Sequence, residues 1–78
     1  MNKQKRERIR SAIGLLDRVF EIIDECKDAE EESLMNLEGT SLENTERYES
    51  IEKSCDYLNE AIETIEQAKE QLEEAMNP

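Results

Sequence analysis

The chain has 78 residues, 36% of them hydrophobic and 40% charged, with 21 acidic side chains against 10 basic ones for a net charge of −11. That length holds one domain, residues 1–78, and no second core, and no apolar run approaches the ~20 residues of a bilayer-spanning helix. There is no His, which removes the commonest general base and metal ligand, and so acidic a balance works against phosphate binding, which needs Lys and Arg.

The charge is unevenly spread. Residues 1–10 carry Lys3, Lys5, Arg6, Arg8 and Arg10 against Glu7, a net of +4, and the rest of the chain holds 5 basic and 20 acidic groups, a net of −15. Asp17, Arg18, Glu21 and Asp24 interrupt any apolar stretch behind this basic start. No secretory h-region is therefore expected, and the reading is a cytoplasmic protein.

The first predicted element is a helix over about 3–36. Ile9, Ile13, Leu16, Phe20 and Ile23 form one 3-4 seam, and Ala12, Leu15, Val19, Ile22, Cys26 and Ala29 form a second stripe beside it. One seam satisfies one partner helix; two adjacent stripes call for two neighbours. Gly14 lies inside this helix at a cost of ~1 kcal/mol relative to Ala, either as tolerated drift or as the mark of a close helix approach. The acidic run 28–32 opposes the macrodipole at the C-terminal end, so fraying is expected there.

The connection is expected over about 37–44. Gly39 is a helix-stop residue, Thr40-x-x-Glu43 has the capping-box pattern, and Thr45 is a rival N-cap. A short helical turn is expected near 41–44, with Leu34, Met35, Leu37 and Leu42 folding over the tip beside Tyr48.

The second helix is predicted over about 45–75. Its seam is Ile51, Cys55, Leu58, Ile62, Ile65, Leu72 and Met76. A quieter stripe of Ser50, Ser54, Tyr57, Ala61, Thr64, Ala68, Gln71 and Ala75 carries no charge, while carboxylates spread over the remaining surface. This small-residue stripe reads as a second packing face, the alternative being that Ala, Ser and Thr are common filler.

Two seams and one turn describe an all-α fold, an antiparallel two-helix hairpin of coiled-coil type. Two helices share one interface, so dimerisation into a four-helix bundle is the expected way to bury more apolar surface. With the turn centred near residues 40–41, facing residues have numbers summing to about 81. That register sets Phe20 against Ala61, Ile13 against Ala68 and Cys26 against Cys55. It also brings the basic start beside Glu66, Glu70, Glu73 and Glu74, where each group offsets the other's unfavourable helix-end charge.

The two cysteines are expected as buried free thiols, since cytosolic thiols stay reduced and no C-x-x-C motif is present. Glu63, Glu66 and Glu70 stack on one helix face and could hold a cation, but a solvated face is the plainer reading. Paired carboxylates do no acid–base work without a pocket that separates their pKa values. No catalytic residue, metal site or cofactor follows, and no enzyme is expected.

The residues Asn36-Leu37, Thr45-Glu46-Arg47 and Leu58-Asn59-Glu60-Ala61-Ile62 resemble a set of small uncharacterised acidic helical-hairpin proteins of phages and mobile elements of Gram-positive bacteria. The resemblance covers Glu30–Ala75, departs at Glu38-Gly39 where a proline is expected, and brings no activity with it. It implies an accessory or regulatory protein.

The expected function is a protein–protein interaction module acting as a homodimer, with a host or phage protein as further partner and no membrane or small-molecule substrate. Its interface would be Ala12, Leu15, Val19, Ile22, Cys26, Tyr57, Ala61, Thr64 and Ala68, with Tyr57 as an aromatic anchor. One alternative is an acidic inhibitor that mimics a polyanion through Glu60, Glu63, Glu66, Glu70, Glu73 and Glu74 and occupies a nucleic-acid-binding or defence protein. A second is a nucleic-acid-associated factor using Lys5, Arg6 and Arg8.

Overall fold

A computed structural model describes residues 1–78. Two helices, α1 (Lys3–Leu37) and α2 (Glu46–Met76), pack side by side along their length as a rod 59 × 17 × 14 Å. The chain is an all-α hairpin.

Each helix starts on a side-chain cap. Asn2 Oδ1 accepts the N–H of Lys5 at 2.8 Å to open α1, and Thr45 Oγ1 accepts the N–H of Tyr48 at 3.4 Å to open α2. Such caps satisfy backbone donors that have no partner inside the helix. Glu46 and Glu49 in the first turn of α2 suit its positive end. The acidic run 28–32 stays helical, contrary to the expected fraying. Lys27 reaches Asp24 at 3.4 Å and Asp28 at 3.5 Å just before it, and Ser33 Oγ donates to the Ala29 carbonyl at 3.1 Å within it.

The tip, residues 38–45, repeats one five-residue device. Leu37-Glu38-Gly39-Thr40-Ser41 is followed by Leu42-Glu43-Asn44-Thr45-Glu46. In both units the Thr hydroxyl donates to the Leu carbonyl three residues back at 2.6 Å, and the Thr N–H reaches the same oxygen at 3.3 Å. The residue before each Thr is left-handed, Gly39 at φ +74° and Asn44 at φ +65°, which Gly and Asn tolerate best. The Thr40–Glu43 pattern does not start a helix. Glu43 instead accepts the N–H of Gly39 at 2.7 Å, and residues 41–44 form turns rather than the expected helical turn.

The two turns carry the hairpin centre beyond residues 40–41, and the register moves with it. Lys69 in α2 pairs with Asp17 in α1, and Cys55 lies close enough to Glu30 and Glu31 to feel their charge. Cys55 is thus level with residues 30–31, not with Cys26, about one helical turn from the expected register. Cys55 is buried as expected, but Cys26 is exposed; both are free thiols.

The expected basic clamp is also absent as a set of ion pairs. None of Lys3, Lys5, Arg6, Arg8 or Arg10 bridges to Glu66, Glu70, Glu73 or Glu74. Arg6 Nε instead donates to the carbonyl of Met76 at 3.2 Å, where the last carbonyls of α2 favour positive charge.

Only Cys55 and Met76 are buried in the hairpin, and the other seam residues are half-covered. Two helices alone rarely surround a side chain, so the other seam residues each keep part of their surface open to water.

Candidate functional site

In each helix the second stripe sits one residue before the seam, a rotation of ~100° about the helix axis. The helices run in opposite directions, so the same rotation swings both stripes to the same side of the rod. Leu15, Val19 and Ile22 of α1 and Tyr57 of α2 project from that side at 69%, 42%, 45% and 70% exposure. Cys26, Ala61 and Thr64 are exposed between them, and Ala12 and Ala68 are half-buried at the groove between the helices. All nine residues of the expected interface therefore share one face.

That face carries no Asp or Glu on either stripe, in a chain with 21 of them. Glu30, a seam residue, borders it where Ser54, Tyr57 and Leu58 form a shallow groove. At the open end of the hairpin Lys5 and Arg8 flank Met1, Ile9 and Ala12. The three expected basic contacts are thereby divided: Lys5 and Arg8 edge the carboxylate-free face, and Arg6 is engaged with the end of α2.

The opposite side, one residue after each seam, is strongly acidic. It carries Asp17, Glu21 and Asp24 from α1 and Glu52, Asp56, Glu63, Glu66, Glu70 and Glu73 from α2. Glu66, Glu70 and Glu73 line a shallow groove around Lys69. Of the expected acidic surface, Glu63, Glu66, Glu70 and Glu73 belong to this side. Glu60 and Glu74 stand on the outer edge of α2, Glu60 beside Lys53, Asp56 and Tyr57. Gly14 also lies on the acidic side, and a Cβ there would meet nothing within 4 Å. No close helix approach within the hairpin accounts for it.

The shifted titrations follow from position. The Cys55 thiol is pushed up by burial and then by Glu30 and Glu31, so it is held as the unreactive thiol. Partial desolvation raises the Tyr48 phenol, reinforced by Glu38 and Glu52. Lys69 is raised by its hydrogen bond to Asp17, and Lys27 by its hydrogen bond to Asp24.

Three features escaped the sequence reading. Lys27, Glu30 and Lys69 occupy seam positions, a polar interruption visible only once the 3-4 spacing is extended through the whole helix. The Asn2 cap precedes a basic turn and so lacks the usual acidic signature. The merging of the two stripes into one face needed the observation that both precede their seams by one residue. No group of three or more Cys, Asp or Glu side chains is arranged to hold a metal ion, and neither helix is long and apolar enough to cross a membrane. Comparison with protein-family models, with curated proteins and with solved structures gives no match.

Proposed function

We propose that this chain is a non-enzymatic protein–protein interaction module that works as a homodimer, two hairpins closing into a four-helix bundle. The observation that carries this reading is the carboxylate-free apolar face with Leu15, Val19, Ile22 and Tyr57 standing exposed on it. Large exposed apolar patches mark interaction sites, and a hairpin with two buried residues has little core of its own. An accessory or regulatory role in a phage or mobile element is the setting implied by the resemblance, and rests on that alone. Light scattering at micromolar concentration tests the dimer: the expected mass is twice the 9.1 kDa chain, and a monomer at that concentration overturns it.

A second reading is supported by the opposite face, whose carboxylates outnumber its cations along both helices. A dimer through the apolar face turns both acidic faces outward, where they suit a basic partner surface in the manner of a polyanion. Charge-driven capture of a basic protein falls steeply as salt shortens the Debye length from ~10 Å at 0.1 M to ~3 Å at 1 M. Capture that is indifferent to salt removes this reading.

A further inference from the structure

Granted the homodimer proposed above, size complementarity on its apolar face selects the way the two copies are joined. A two-fold dimer through this face has two possible forms. In the same-end form the axis runs along the rod, both tips lie at one end, and α1 packs on the partner subunit's α2. In the head-to-tail form the axis crosses the rod, each tip lies at the other copy's open end, and α1 packs on the partner subunit's α1.

Both forms make every adjacent helix pair antiparallel, so helix dipoles do not choose between them. Side-chain volume does. The Asp17–Lys69 pair fixes relative height along the rod. Counting from it, Val19 and Ile22 of α1 stand level with Ala68 and Thr64 of α2, while Leu15 stands level with Gln71 and Cys26 with Ala61. Further toward the tip the sizes reverse, and the Tyr57 ring stands level with Ala29, one turn beyond Cys26. A rotation about the long axis preserves height. The same-end form therefore seats Val19 and Ile22 of each α1 on the small residues of the partner subunit's α2, Leu15 on the uncharged glutamine there, and Tyr57 over the small residues of the partner subunit's α1. Large side chains facing small ones interdigitate to native density. The head-to-tail form at full overlap, with its axis at mid-rod, instead opposes Val19 of each copy to the bulky isoleucine one turn on in the other copy's α1 and leaves α2 to meet α2 mostly through small residues. That arrangement forces one side of the bundle apart and leaves voids on the other.

The charges on this face allow the approach. It holds no carboxylate on either stripe, and Lys5 and Arg8 at the start of α1 come to the C-terminal end of the partner subunit's α2, where the macrodipole favours a cation. We propose that the functional unit is the same-end dimer, α1 against the partner subunit's α2, with both connections at one end and an acidic face on either flank.

The test places one spin label at the tip. Ser41→Cys is made in a Cys26→Ser, Cys55→Ala background, its mass is checked by light scattering, and the label–label distance is read by double electron–electron resonance. The same-end dimer gives a distance set by the bundle width, about 20 Å for helices packed ~8–10 Å apart. A dimeric mass with a distance near the 59 Å length of the rod overturns the same-end form and leaves the homodimer standing. A monomeric mass for both this variant and the unsubstituted chain overturns the homodimer and the same-end form with it. If only the variant is monomeric, the label is moved to Thr40→Cys with Cys55 retained; a short distance there supports the proposal and a long one overturns it.

Discussion

Lys69 occupies a position in the α2 seam between Ile65 and Leu72, and it can do so because Asp17 of α1 meets its ammonium. The pair is half-exposed, Asp17 more so than Lys69, so its net worth falls in the ~0–1 kcal/mol range of surface ion pairs. Lys69→Leu extends the apolar seam while Asp17 keeps its water. It is expected to raise hairpin stability by about 1 kcal/mol, checked by thermal melts followed by circular dichroism. Gly14→Ala should likewise stabilise by ~1 kcal/mol, since the added methyl meets open space. A loss of stability instead would place another chain against Gly14. Diamide oxidation should give no Cys26–Cys55 disulfide within one chain, because Cys55 is level with Glu30 rather than with Cys26; a faster-migrating non-reduced band would contradict this register. The seam residues were legible in the sequence because their spacing states which side they share. The partner of each was not, because two helices of this length can slide by a turn and keep apolar side chains opposed.

At the scale of the element, the connection decides which of those slips is taken. Its two Leu-Glu-Gly/Asn-Thr units each reverse the chain through one left-handed residue and close on a Thr hydroxyl. Thr45→Ala removes both the α2 cap and the second closure and should cost ~1 kcal/mol or more. Gly39→Ala should cost ~1–2 kcal/mol because a Cβ is strained at this φ, whereas Asn44→Gly should be tolerated. Urea unfolding of the three variants at one protein concentration ranks them, which matters because dimerisation makes stability depend on concentration. Gly39 and Thr45 could be read from sequence as stop and start. The competing Thr40 start could not be rejected, because the capping-box pattern is local, while the use to which Glu43 is put depends on the path of the chain before it.

Across the whole molecule, the four displaced titrations point the same way. Cys55, Tyr48, Lys27 and Lys69 are all raised, so at each of them the folded chain holds its proton more tightly than the unfolded chain. Raised groups contribute stability that is complete below the ordinary pKa and is lost as pH climbs through it. Cys55 begins that loss near its ordinary 9.0, Tyr48 near 10.0 and the two lysines near 10.5. The melting temperature is therefore expected to be insensitive to these groups at neutral pH and to fall above about pH 9. Cys55→Ala should remove the earliest part of that fall. At this scale the two-sided charge pattern was half visible in advance: each stripe could be read along its own helix, but only antiparallel pairing brings them to one side. The face they form also has a genetic consequence. Every codon for alanine or valine lies one base change from a codon for aspartate or glutamate, so Ala12, Val19, Ala29, Ala61, Ala68 and Ala75 are each a single mutation away from a carboxylate. Random mutation supplies acidic substitutions to this face continually. A library of single-base variants selected for dimer formation should discard them here and retain them across the acidic side.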